Sequence, residues 1–309
     1  MQDISYSMEY LSDPRMVSAG RMEPFSDHAV YANAEEADAG ASSLHHSLSG
    51  AWKFHYAQNP SGRPSDFEKA GYDVTGWDDI AVPGHIQLQG YDRQHYVNTQ
   101  YPRDGHEALR PPEVSERDNP VGSYVLDFTP PAAWRGMRTV LTFHGVEAAF
   151  FVWVNGILIG YSEDSFTPAH FDITAALREG SNRLCVQVFK RCSGSWLEDQ
   201  DFWRFSGIFR DVELSAFPTA HLQDLCVHTE LDAAYANAEL RMDMNLDLPE
   251  EAVSVKGILT DADGREAAAF AADGRQQLEV RVPVAAPRLW SAEEPYLYKN
   301  IEIRLLRDG

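Results

Sequence analysis

The stretch FFVWVNGILIGY, from Phe150 to Tyr161, sets Asn155-Gly156 between two apolar runs. A two-residue type I′ turn needs positive φ at both central positions, and Asn-Gly meets that need at the least steric cost. The stretch therefore predicts a β-hairpin. Outward from it the period stays at two. Trp52, Phe54 and Tyr56 alternate with Lys53 and His55, which predicts a half-buried strand with an aromatic inner face. Tyr124, Leu126 and Phe128 alternate around Val125 and Asp127, and Val140 to His144 and Leu184 to Phe189 read as further short strands. Helical pattern is sparse: Asp172 caps a short predicted helix through Leu177, with Gly180 just past its end. Short strands, frequent turns and little helix predict an all-β chain of sandwiches.

A boundary falls near Phe217-Pro218, where one set of strands closes and another begins. Ala238, Leu240, Met242, Met244 and Leu246 alternate with polar neighbours, a long strand with one buried face. Val253 to Leu259, the turn Asp261 to Gly264, Leu278 to Val284 and Ile301 to Leu305 follow. About ninety residues of such strands match an immunoglobulin-like sandwich. The final Asp308-Gly309 is a hairpin-turn dipeptide with no strand after it, so the second sandwich is expected to be truncated at its C-terminal end.

The 309 residues are 44% apolar and 11% aromatic, enough for real cores and incompatible with a disordered chain. With 26 basic against 47 acidic residues the net charge is −21. A field of that sign repels phosphate backbones and anionic lipid, so neither nucleic acid nor membrane is an expected partner. Cys185, Cys192 and Cys226 make an odd set without CxxC spacing, which argues against a disulfide framework or zinc knuckle and fits a reducing, cytoplasmic compartment. The N-terminus carries no signal-peptide pattern, and the longest apolar stretch, Ala148 to Val154, is too short to cross a bilayer.

Two stretches invite chemistry. Between Gly84 and Tyr124 the chain is polar, proline-bearing and weakly periodic, and Tyr91, His95, Tyr96, Tyr101 and His106 argue that part of it packs or touches a ligand. The densest candidate is SGSWLEDQDFWRFSGIFR, Ser193 to Arg210, which joins Glu198, Asp199 and Asp201 to Trp196, Phe202, Trp203, Arg204 and Arg210. Carboxylates accept hydrogen bonds from hydroxyls and flat rings stack on the C–H face of a pyranose, so a sugar site is one reading. The other is an acidic loop whose tryptophans belong to the core and whose arginines neutralise it. A catalytic carboxyl pair must flank the scissile bond, and neighbours on one loop seldom do, so binding is preferred to catalysis here. No HExxH, Walker A, GxSxG or strand-linked GxGxxG occurs. His45 and His46 read as exposed, and His144 as a satisfied sheet residue.

The run GSWLEDQDFWRFSGIFRDV resembles the signature at the end of the sugar-binding domain of glycoside hydrolase family 2 β-galactosidases. SLSGAWKFHYAQNP, VPGHIQLQGYDRQHYVNTQYP, ERDNPVGSY and GVEAAFFVWVNGILIGYSEDSFTPAHFDIT agree in order and spacing, and PRLWSAEEPYLY resembles the family's second-domain motif. The resemblance implies an extended segment over 1–44, a jelly-roll (galactose-binding-like) sugar-binding domain over 45–217 and an immunoglobulin-like β-sandwich over 218–309. It also implies a following (β/α)8 barrel, absent here, that carries both catalytic glutamates of a retaining enzyme. This chain is thus expected to hold no catalytic residue, to be inactive alone, and to supply one wall of the site for a lactose-like β-galactoside. Asp201 is implied to bind galactosyl hydroxyls and to form part of a sodium site, and Asn98 to reach into the active site, with Thr99 where the family can have a small apolar residue. Sodium and magnesium are implied for the parent enzyme, with neither bound tightly by this chain, and a homo-oligomer is implied as a further partner relation. A freestanding carbohydrate-binding module, or the equivalent part of a β-glucuronidase or β-mannosidase, are the alternatives. Residues 1–44, polar with an acidic, alanine-rich stretch, are expected to be partly disordered or held only by Met22, Pro24 and Phe25.

Overall fold

The computed structural model describes residues 4–98, 107–198, 201–248 and 253–307. The chain divides into two units, Met1–Pro24 with Tyr31–Ala216, and Phe25–Val30 with Phe217–Gly309.

In the first unit the described residues form a seven-stranded antiparallel sheet. Its spatial order is Ser18–Ala19, Ile157–Ser162, Ala149–Val154, Asn182–Phe189, Val121–Phe128, Gly50–Ala57 and Asp78–Val82. A four-stranded sheet, Ala169–Asp172, Arg138–Phe143, Val212–Phe217 and His45–Ser47, lies against it. The predicted hairpin is present: Ile157 pairs with Val154, and Asn155 and Gly156 take φ of 54° and 83°.

Every residue of Ala149–Val154 is buried, where a sheet with one wet face would alternate. Both faces of the large sheet are covered. On one, Phe150 meets Phe143 and Phe171 of the smaller sheet, with ring centroids 5.0 and 6.0 Å away. On the other, Phe151, Trp153, Cys185 and Phe189 form a second cluster with Phe67 and Leu11.

The N-terminal segment completes that outer cover, which corrects the expectation for residues 1–44. Tyr6 stands edge-on to Phe151 at 4.7 Å, Tyr10 to Tyr161 at 5.5 Å, and Leu11 is buried. Met22 is held as well, through its N–H to the carbonyl of His170. Two smaller expectations also change. The helix predicted from Asp172 is a three-residue 3-10 turn, Thr174–Ala176, with Asp172 Oδ1 accepting from the Thr174 N–H. His46 is half-buried, edge-on to Trp134, rather than exposed.

The second unit places two three-stranded sheets together. One orders His221–Leu231, Asn237–Asp247 and Gln277–Ala285, the other Glu266–Asp273, Val253–Thr260 and Asn300–Arg307. Leu240, Met242 and Met244, from the alternating strand, share a core with Val280, Val282 and Leu259, with Phe270 and Ile303 packed against it. This is an immunoglobulin-like sandwich. Phe25 belongs to this unit, its ring edge-on to Phe217, and Ser26 is tied to Asp224 and Leu225 by hydrogen bonds of 2.8 and 2.9 Å. The Asp308-Gly309 dipeptide lies outside the described residues. No described helix is long and apolar enough to cross a membrane.

Candidate sugar-contacting site

Two loops of the first unit meet as a short antiparallel ribbon, Tyr96–Val97 against Phe202–Trp203. Three backbone bonds extend the seam: Arg204 N–H to His95 at 2.7 Å, Ile86 N–H to Ser206 at 2.9 Å and Gly84 N–H to Ile208 at 2.8 Å. The register pairs Trp203 with Tyr96 and Phe202 with Val97, so the Trp203 and Tyr96 side chains share one face. Asn98 follows the ribbon in a bend and Asp201 precedes it in a turn, and both are exposed.

A phenol joins them. The Tyr96 hydroxyl donates to Asp201 Oδ1. That hydrogen bond raises the Tyr96 pKa, with partial burial adding to it and the Asn98 amide acting against it. The result is an acceptor-rich carboxylate and an amide with both donor and acceptor atoms, both acting on one phenol at the end of the ribbon. Such a pair can accept from and donate to adjacent hydroxyls of one sugar.

Trp203, 46% exposed and 5.6 Å from the Tyr96 ring, shares the face of that phenol, whereas Phe202, 44% exposed, belongs to the other face with Phe166 edge-on at 6.4 Å. Behind them the His85 ring is sandwiched between Phe205 and Phe209, at 4.7 and 5.1 Å. Burial lowers the His85 pKa and favours its neutral form. Arg210 covers Phe209 at 5.2 Å and donates to the Phe166 carbonyl. Trp203 therefore does not belong to the core, whereas Trp196 is half-buried and donates to the Glu113 carbonyl at 2.9 Å.

The other singled-out residues fall elsewhere. Glu198 is half-buried beside Gly194, and Tyr91 packs edge-on to Phe54 at 4.7 Å. His144 lies just past its strand with Nε2 3.1 Å from Glu213 Oε1, and His45 reaches the other oxygen of the same carboxylate. Asp199, Thr99, Tyr101 and His106 lie outside the described residues. Among the described residues no three His, Cys, Asp or Glu side chains are grouped to hold a metal. A hard cation needs a shell of oxygens. Asp201 supplies only one carboxylate of such a shell, so the described residues alone do not complete a sodium site.

A depression of about 170 Å³ also occurs, lined by Glu68, Asp127, Asn155, Asn182 and Arg183 among others. Its polar groups satisfy one another: Arg183 is bidentate to Asp127 at 2.8 and 3.0 Å, and Asn155 donates to Asn182 at 2.8 Å. It braces the hairpin turn. Sequence reasoning missed Tyr96 as the bridge, although its place two residues before Asn98 in an extended segment was a usable signal.

Comparison with known proteins identifies the family of both domains. The profile described as "Glycosyl hydrolases family 2, sugar binding domain" matches residues 45–218, and that described as "Glycosyl hydrolases family 2" matches 220–309. A β-galactosidase of Halalkalibacterium halodurans is 50% identical over 95% of this chain, which covers 29% of that protein. One of Clostridium acetobutylicum is 45% identical over 98% of the chain and 34% of its own length. A β-galactosidase large subunit of Latilactobacillus sakei is 39% identical over 94% of the chain, which spans 48% of it. Among solved structures, a Bifidobacterium dentium β-glucuronidase superposes with a TM-score of 0.67 at 21% identity, over 86% of this chain and 46% of its own. That likeness shows the fold. The chain thus spans from under a third to about half of the curated relatives it matches, and it belongs to glycoside hydrolase family 2, carrying that family's sugar-binding domain and the domain that follows it.

Proposed function

We propose that this chain is the N-terminal, non-catalytic portion of a retaining β-galactosidase and forms one wall of its sugar site. The observation that carries the reading is the Tyr96 phenol at the end of the ribbon, whose hydroxyl donates to Asp201 and on which the Asn98 amide also acts. The Asp201 carboxylate accepts from sugar hydroxyls and the Asn98 amide donates and accepts beside it, fixing the ring before chemistry begins. Trp203 offers a flat face to the pyranose C–H surface. Proton transfer and nucleophilic attack belong to two carboxyls about 5 Å apart across the scissile bond. Those lie on a further domain of the longer protein, together with any sodium shell and magnesium site. The three cysteines are free thiols, which suits a reducing cytoplasm.

The β-galactosidase names of relatives at 39–50% identity support galactosides over glucuronides, which enter only through structures near 20% identity. The test is a chimera in which this chain replaces its counterpart in the Halalkalibacterium protein, assayed on nitrophenyl β-galactoside, β-glucuronide and β-mannoside. Hydrolysis of the galactoside alone is expected, and a folded chimera that prefers either other glycoside overturns the reading. The isolated chain is expected to release no nitrophenol above blank.

A further inference from the structure

Beneath the ribbon lies a buried polar junction that neither the contact residues nor the core requires. Asp92 Oδ2 accepts from Lys190 Nζ at 2.5 Å and from Gln87 Nε2 at 2.9 Å, and Asp92 Oδ1 accepts from the Arg93 N–H at 2.8 Å. Burial and the Asp92 charge push the Tyr56 phenol up to about 12. The Lys190 side chain is 5% exposed and that of Asp92 11%. Burial pushes the Asp92 carboxyl up, and the Lys190 ammonium outweighs it and holds the group ionised. Lys190 follows the strand Asn182–Phe189 and Tyr56 sits in Gly50–Ala57, so the junction is bolted to the large sheet.

Gln87, itself buried, carries the link onward. Its Nε2 donates to Ser206 Oγ at 2.9 Å and its Oε1 accepts from the Ser206 N–H at 2.9 Å. One amide thereby ties the segment that leads to Asn98 to the segment that leads away from Asp201. We propose that Gln87, Asp92 and Lys190 are positioning residues, a buried ion pair and amide that lock both loops to the sheet and set the separation of Asn98 from Asp201. The functional part of this rests on the sugar-site reading above; the positional part does not.

The chemistry of the junction favours placement over stability. Taking an ammonium and a carboxylate out of water costs more than their attraction returns unless the geometry is good, and an apolar pair of similar volume would stabilise as well or better. What apolar contacts lack is direction. A carboxylate accepting from Lys190, Gln87 and the Arg93 N–H, and an amide paired twice to one serine, admit few arrangements.

The test is hydrogen exchange on the 309-residue chain and its Gln87→Leu variant, which keeps the Lys190–Asp92 pair and cuts the tie to Ser206. Exchange in peptides spanning 84–98 and 201–210 is expected to quicken roughly 10- to 100-fold, while 121–128 and 182–189 stay protected. Ser206→Ala, which removes one of the bonds with a smaller change of volume, is expected to act on the same two segments more weakly. The Tyr96 phenol, followed by NMR, is expected to titrate closer to an ordinary tyrosine in Gln87→Leu, because its partner Asp201 is no longer held. Unchanged loop exchange, or equal acceleration in all four segments, overturns the proposal. Neither readout involves sugar, so a chimera without galactosidase activity would defeat the functional reading and leave this result standing.

Discussion

Replacing Gly160 by alanine adds one methyl group at the seam of three elements. A β-carbon there would lie 2.4 Å from the Ala19 carbonyl oxygen and 2.6 and 3.0 Å from Cε1 and Cδ1 of Phe171. Phe171 cannot yield. It is fully buried and set edge-on to both Phe143 and Phe150, at 6.3 and 6.0 Å. The two-residue strand Ser18–Ala19 is the softer partner and would have to move by about 1 Å to reach ordinary contact. Overpacking of this kind costs about 1–3 kcal/mol. A lost ladder bond adds about 1 kcal/mol, and the reduced freedom of the unfolded chain returns about 0.4–1 kcal/mol. The net expectation is a loss of about 1–3 kcal/mol. Denaturant unfolding followed by tryptophan fluorescence reads it, since six of the seven tryptophans lie in the first unit and only Trp290 in the second. Gly76→Ala is the control, because nothing stands within 4 Å of its added carbon. A Gly160→Ala chain within about 0.5 kcal/mol of that control would show that the N-terminal strand does not close on the sheet as described.

Asn155→Ala should cost about 2–4 kcal/mol in the same assay, because the residue holds φ at 54° and its amide bonds to Ala176, Asn182 and Arg183; a cost below 1 kcal/mol contradicts the turn geometry. Burial raises the Glu163 pKa, so its favourable contribution is complete below the unfolded carboxyl value near 4.3 and is lost as pH rises through the folded one. Glu163→Gln should therefore gain stability relative to wild type as pH rises above the unfolded carboxyl value of about 4.3, and a gap independent of pH refutes this. Asp201→Asn removes the main cause of the raised Tyr96 pKa, so the phenol should titrate nearer to an ordinary tyrosine by NMR; an unmoved titration means the two side chains do not meet in solution.

Much of this architecture is written in local pattern. Asn155-Gly156 announces the hairpin because few dipeptides tolerate two positive φ values, and the alternation from Ala238 to Leu246 announces a strand because one of its faces is wet. Both signals are short-range. The strand Glu266–Asp273 escapes such reading because EAAAFAAD has no β-branched residue. Its place is set across the sheet, where Gly257 leaves room for the Phe270 ring and a β-carbon would stand 2.1 Å away. The N-terminal segment escapes for the opposite reason. Tyr6, Met8, Tyr10 and Leu11 sit in a short segment with a five-residue 3-10 turn, and the apolar outer face of the large sheet is what holds them. Asn98 and Asp201 could be named from motifs, but the junction under them joins positions 87, 92, 190 and 206. No spacing rule connects those positions before the chain is folded.

The central claim is that the ribbon end bearing Asp201 orients a galactosyl ring. The most direct measurement is kcat/KM for nitrophenyl β-galactoside in the chimera carrying Asp201→Asn, set against the chimera without it. Loss of one or two hydrogen bonds to a charged acceptor predicts a fall of roughly 10- to 1,000-fold with the fold and thermal midpoint preserved. A folded Asp201→Asn chimera with undiminished kcat/KM would contradict the claim.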